Sequence, residues 1–296
     1  MSYADARSRF RYVNGRSVGT WVVLAAGAVF WGYLLLRWFI NWGWLPFGTP
    51  GEPLFDPAAL GLSGGAATAV GSLPRLAEGA YITVVITVVA ILLGLVLAVP
   101  LSVARVYGRW TKALSLSFTE LIRGTPLIAQ LYLLYYGLNL SQYFRGLTSL
   151  GPFVLDTALW VALIGFTINS AAYQAEYIRA AIESVDPQQL VAARSIGLTQ
   201  QEGIRHVVLP QTLRFAIPGW TNELVYLIKY SSLATFITVA ELFRRGDAIA
   251  SDTFDYTAMF TVVAVVYIGI VITATRLMGY FEDRVALPGL GSVEGR

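Results

Sequence analysis

The sequence contains no cysteine, which excludes disulfides, thiolate metal sites and thiol nucleophiles. Its single histidine, His206, is too little imidazole for a histidine-built metal site, and no placed acid or base accompanies it for catalysis. There are two lysines, Lys112 and Lys229, and neither follows a GxxxxG run, so the chain has no phosphate-binding P-loop of its own. Charge is scarce as well: 13% of the 296 residues are charged against 56% hydrophobic, with a mean hydropathy of +0.60. No single water-facing domain tolerates that balance, so the chain is expected to be an all-α integral membrane protein. The net charge of +3 and a pI near 9.1 come from arginines scattered between apolar runs. That is the signature of basic loops, and no nucleic-acid partner is expected.

Long apolar runs are what the sequence has in abundance. Residues 1–17 form a basic segment with Arg7, Arg9, Arg11 and Arg16. The run that follows, 18–40, is long enough to cross a hydrocarbon core of roughly 30 Å. It reads as a signal anchor or a cleaved signal peptide; its length beyond the usual h-region of about 7 to 15 residues, and its aromatic content, favour the anchor. Trp38, Trp42 and Trp44 make an aromatic belt at its far end. Residues 41–79, rich in Gly, Pro and Ala, read as an extracytoplasmic loop without a core of its own. Five further spans are expected at about 80–104, 116–138, 157–175, 220–239 and 258–276, with a short tail at 283–296. Counting Lys and Arg places thirteen on the side of the N-terminus against Arg75, Arg145, Arg244 and Arg245 on the other. By the positive-inside rule both termini are cytoplasmic, as is the loop 186–210.

That loop, DPQQLVAARSIGLTQQEGIRHVVLP, is the longest polar interruption between spans. Asp186 followed by Pro187 is a helix start, and Gly197 supplies a left-handed stop. Thr199 with Glu202 predicts a capping box on a second helix, which Pro210 ends or kinks. Leu190, Ala193 and Ile196 form an apolar stripe on the first helix, and Ile204, Val207 and Val208 one on the second, each beside a charged face with Arg194, Glu202 and Arg205. Such a hairpin either lies among lipid head groups or docks a soluble partner.

Within the spans, polar residues recur at helical spacing. Asn222, Tyr226 and Lys229 share one face, with Glu223 about 100° round from Asn222. Asn169, Tyr173 and Glu176 continue a similar face in the preceding span. Ionisable residues inside a membrane need a partner, a pathway or a ligand. Asn169, Tyr173, Asn222, Glu223, Tyr226 and Lys229 are therefore candidates for a substrate path, or else for pairs that hold helices together. Glu120 and Arg123, at i, i+3, read as a structural pair.

Ala192, Ala193, Gly197, Val207, Leu209 and Pro210 keep the spacing of the EAA signature of permease subunits in type I ABC importers, with Val191 where the signature has glutamate. The stretches ELIRGTPLIAQL, NSAAYQAEYI and LPQTLR resemble permeases for polar amino acids. The resemblance covers roughly 79–282 and implies the type I ABC importer transmembrane domain at 80–282: five core helices, here preceded by one extra N-terminal helix. It implies that the Asp186 to Gly197 helix is a coupling helix seated in a groove of a separate ATPase. Its contact residues would be Asp186, Pro187, Leu190, Val191, Ala192, Ala193, Arg194, Ile196 and Gly197. No cofactor is expected in this chain, ATP and Mg belonging to the partner ATPase. Further implied partners are a second permease subunit, identical or paralogous, an extracytoplasmic solute-binding protein, the amino acid and membrane lipid. For a zwitterion, Lys229 suits the α-carboxylate and Glu223 or Asn169 the α-ammonium. An ABC permease for another solute, or an ion-coupled secondary transporter, are the alternative readings; no convincing internal repeat supports the second.

Overall fold

The computed structural model describes residues 18–147, 149–150, 153–154 and 156–285, with backbone only for residues 18–21 and for a small hairpin at Ser149–Leu150 and Phe153–Val154. The expected basic segment 1–17, and residues 286–296 of the expected tail, lie outside the described residues.

Helix α1 spans Val18–Asn41 and α2 spans Gly64–Tyr107. The expected loop 41–79 therefore stops at Ser63, and residues 64–79 are helical. Alanines at 66, 67, 69 and 77 supply helix propensity there, and Leu76, Ala77 and Ala80 are buried, so tertiary packing overrides the glycines. At 1.5 Å per residue the 44 residues of α2 run about 66 Å, twice the hydrocarbon thickness. Helix α3 spans Thr111–Arg123 and α4 spans Leu127–Tyr132, continued by a π-turn at Leu133–Gly137. The single span expected over 116–138 is thus broken at Gly124-Thr125-Pro126. Proline removes an amide donor and disfavours helical backbone at the residue before it.

Helix α5 spans Thr157–Ser184, capped by Asp156 on the Ala158 amide. Next come α6 at Gln188–Ser195, α7 at Gln200–Gly203, a π-turn at Ile204–Val208, α8 at Leu209–Phe215 and α9 at Ile217–Tyr230. A 3₁₀ stretch, Ser231–Ile237, leads to α10 at Leu242–Thr253, and α11 spans Tyr256–Val285. Among the described residues, three helices are long and apolar enough to cross a membrane: most of α1, α2 and α11. Ile217–Ile237 with Leu242–Thr253, bent by 55°, make a fourth candidate. This is a multi-pass membrane protein: the spans expected at 18–40, 80–104, 157–175 and 258–276 fall within α1, α2, α5 and α11, whereas those at 116–138 and 220–239 are broken.

Helix α5 is the axis of the bundle. It packs along α2 through small residues: Ala90, Gly94 and Ala98 face Ala171, Ala172 and Ala175, all but Gly94 at most 2% exposed. A methyl on Gly94 would lie 2.7 Å from Nε2 of Gln174 and 3.2 Å from the Ala171 amide, so any larger residue would have to displace the Gln174 side chain. Close backbones let side chains cross: Gln174 donates to the Ile91 carbonyl at 3.0 Å, and Ser102 to the Ala175 carbonyl at 2.9 Å.

Helix α1 is docked as firmly. Trp38 donates its indole N–H to the Ala77 carbonyl at 2.7 Å, Trp31 donates to Thr273 at 2.7 Å, and Asn41 donates to Glu78 at 3.2 Å. Glu78 also pairs with Arg245 at 3.2 Å. At the bend, Glu241 accepts from the Phe243 and Arg244 amides at 2.8 and 2.7 Å and from the Tyr267 hydroxyl at 2.9 Å. A buried carboxylate thus starts α10 and ties it to α11.

Candidate functional site

Two polar features stand apart from this packing, and both involve α5. The first is a buried tier between α4, α5 and α9. Asn169 donates to Oε1 of Gln130 at 3.2 Å. Gln130 in turn donates to the Ile122 carbonyl at 2.7 Å and to Thr125 Oγ1 at 2.8 Å, closing over the break between α3 and α4. Glu223, 1% exposed, points inward from α9 with Ser170 beside it. The Tyr173 and Tyr226 rings meet at 5.8 Å between centroids, and Tyr226 stacks on Tyr230 at 3.9 Å.

Three buried oxygens in this region, Asn169 Oδ1, Gln174 Oε1 and Glu223 Oε1, have no hydrogen-bond partner. Leaving a buried acceptor unmade costs about 1–3 kcal/mol, more for a charged group, so a bound donor is the natural complement. The fold thus brings together Asn169, Tyr173, Glu223 and Tyr226 from the expected path. It sets Asn222 and Lys229 on the exposed side of α9, where Lys229 forms no ion pair among the described residues.

Below this tier α5 turns ionic. Glu176 meets Arg179 at 3.0 Å, Arg105 at 3.8 Å and Arg123 at 3.9 Å. The expected pair Glu120–Arg123 is present at 3.7 Å, but as the rim of this larger network.

The second feature is the segment from Asp186 to Phe215. Asp186 accepts from the Gln188 amide at 2.9 Å, and Gly197 adopts φ +92°, a conformation that side chains disfavour. The Thr199–Glu202 capping box is complete: Glu202 Oε2 accepts from the Thr199 amide at 2.8 Å while Thr199 accepts from the Glu202 amide at 3.3 Å. These bonds to the charged form hold the Glu202 carboxyl below its ordinary range. Pro210 does not end the second helix. The wide turn at Ile204–Val208 precedes it, and Gln211 and Thr212 side chains donate to the Val207 and Val208 carbonyls at 2.9 and 3.0 Å.

The apolar stripe expected to meet a partner is also redistributed. Ala193 is 4% exposed and Leu190 is half-buried, both turned onto Gly203. Outward lie Val191 at 55% and Ile196 at 80% exposure, with Ala192, Arg194, Asp186 and Pro187 also exposed. Period alone predicted the stripe; the second helix occupies its Leu190–Ala193 part because the turn at Gly197 folds that helix back on the first.

Residues 90–287 match the family described as binding-protein-dependent transport system inner membrane component. The chain belongs to this family. The permease is 36% identical over 224 residues to the probable amino-acid ABC transporter permease protein YckA of Bacillus subtilis, covering 74% of this chain and 92% of that one. It is 34% identical over 217 residues to the glutamine transport system permease protein GlnP of Escherichia coli K12, covering 73% and 95%. A crystal structure of an amino acid ABC transporter with histidines superposes with a TM-score of 0.61 at 32% identity, over 72% of this chain and 94% of that one. The inward-facing MetNI methionine ABC transporter, at 19% identity and a TM-score of 0.61, shares the fold over 72% and 97%.

The permease is therefore a type I ABC importer transmembrane domain and not an enzyme. ATP hydrolysis and solute capture belong to separate ATPase and binding-protein subunits. Helix α1 lies wholly before the matched region. Gln130 reads in the sequence as a polar interruption of the third span, together with Thr125 and Pro126, whereas Ser170 and Gln174 were not among the residues singled out there. Their signal was available: a hydroxyl and an amide one turn apart on an apolar helix, beside Asn169 and Tyr173.

Proposed function

We propose that this permease moves polar amino acids inward across the cytoplasmic membrane by alternating access, with the buried tier as its transient binding site. The unpartnered oxygens of Asn169, Gln174 and Glu223 support this reading, because three acceptors without donors suit an ammonium group. Tyr173 and Tyr226 supply a face for the rest of the ligand, and exposed Asn222 and Lys229 line the approach. The names of the relatives, among them glutamine, octopine and nopaline transport systems, agree with polar amino acids as the class.

The segment from Asp186 to Gly197 is assigned to the ATPase groove, with both termini and this loop in the cytoplasm. The count of basic residues supports that orientation. ATP and Mg would act in the ATPase, and a second permease copy or paralogue would complete the pore. The test is uptake of labelled amino acids into proteoliposomes holding the permease, its ATPase and its binding protein. Glu223→Gln should cut uptake by about tenfold or more, the equivalent of one lost charge-assisted bond, with the complex still assembled. Full uptake in both Glu223→Gln and Asn169→Ala would remove the site from this tier. Uptake that follows an ion gradient without the ATPase would favour a secondary transporter instead.

A further inference from the structure

Glu176 holds an unusual position for a helix residue in the hydrophobic bundle. One carboxylate, 15% exposed, is shared by arginines from three elements: Arg105 at the end of α2, Arg123 at the end of α3 and Arg179 on α5 itself. Arg179 continues to Glu183 at 2.7 Å and Arg123 to Glu120 at 3.7 Å, so three arginines balance three glutamates. Arg105 also donates to Thr119 at 3.1 Å. A pair needed only to hold two helices would use one arginine.

The arrangement has a direction along α5. Arg123 Cζ lies 5.5 Å from the centroid of the Tyr173 ring, so the guanidinium that Glu176 holds also covers the aromatic pair of the buried tier. Asn169 and Ser170 sit one turn beyond Tyr173, and Ser170 is fully buried. At the other end, Glu183 stands three residues before Asp186, where the coupling loop begins. The chain of contacts thus joins the loop to the end of the site through one helix: Glu183, Arg179, Glu176, Arg123, Tyr173.

We propose that Glu176 is a positioning residue that keeps Arg123 across Tyr173, closing the α3–α5 end of the buried tier, and releases it when the loop draws α5 away from α3. This rests on the transport reading above. Closing and opening exchange the same ion contacts for water at the parted helix ends, so no covalent step or co-reactant is needed. Weakening one contact shifts the balance between the two states by as much as that contact favours the closed one.

The absence of cysteine makes a direct test available. Ser170→Cys supplies a single thiol inside the tier, and its labelling by a charged maleimide reports how often that end is open. The full permease–ATPase complex in lipid nanodiscs, without nucleotide, is the sample. Adding Glu176→Gln should raise the labelling rate about tenfold, and Arg123→Gln should do the same. Glu176→Asp should stay near the parent rate, since a carboxylate remains. Complex assembly and melting temperature are measured alongside, and Arg123→Gln carries the test if Glu176→Gln does not assemble. Unchanged labelling in both charge-removing variants, with ATP-driven uptake present in the cysteine-free parent chain, overturns this proposal alone. Absence of ATP-driven uptake in the parent chain overturns the transport reading instead.

Discussion

Leu190 occupies the space that a methyl group on Gly203 would need, its Cδ1 2.7 Å from that point. The two short helices after α5 are thereby locked face to face. Gly203→Val overfills the contact and should cost about 1–3 kcal/mol, the usual penalty for forcing bulk into a packed site. The measurement is ATPase co-purification together with the melting temperature of the complex. Leu190→Ala in the same chain should recover part of the loss, which no surface effect of valine would allow.

Ile196 is the opposite case, 80% exposed on the same short segment. Ile196→Asp should leave the melting temperature of the isolated permease within its error and still weaken ATPase binding, read as lost co-purification and lost uptake. Val191→Glu, which restores the signature glutamate at a position 55% exposed, should be tolerated by the fold because its carboxylate stays in water. An Ile196→Asp chain that binds ATPase normally would move the docking surface elsewhere.

The Thr199–Glu202 box has a pH signature. Hydrogen bonds from Thr199 hold the Glu202 carboxyl below its ordinary value of 4.5. A carboxyl depressed on folding adds stability above its unfolded pKa, and that contribution fades as pH falls through the folded value. Amide exchange at Thr199 should therefore quicken, relative to an unrelated helix, as pH drops below about 4.5. In Glu202→Gln that relative change should vanish.

Trp38 sits in the seam between α1 and α2, 7% exposed, with its indole bonded to the Ala77 carbonyl. Trp38→Ala should cost about 3–5 kcal/mol, as large-to-small changes in cores do. The check is thermal unfolding in detergent. A change near zero would mean that α1 is a detachable tether instead of part of the bundle.

Much of this was legible in residue order. The low charge, the runs of twenty or so apolar residues and the spacing of Ala192, Ala193, Gly197 and Pro210 point to a membrane permease before any coordinates. The turn chemistry at Gly197 and Thr199 is local, so it reads directly. What did not read was anything decided by contact between distant elements. Residues 64–79 look like loop because their glycines are counted without the α10 and α11 surfaces they pack on. Leu190 and Ala193 look like a docking stripe until the second helix covers them. Glu176 looked like one more polar residue on α5, because Arg105 and Arg123 reach it from segments more than fifty residues away. Lys229, favoured by its charge, lies on the exposed side of α9, whereas the Asn169 and Gln174 carbonyls are the unmatched groups.

The docking of α1 also decides which helix surfaces the bundle leaves open. Phe30 lies so close to Gly269 that any methyl there would meet its ring at 2.7 Å, and Trp31 is bonded to Thr273 on the same face of α11. That strip of α11 and the first half of α2 are already covered by their own chain. Under the proposed pairing with a second permease, that subunit would have to approach from the flanks that α1 leaves bare, and the extra helix would act as a steric filter on which subunits pair and in what orientation.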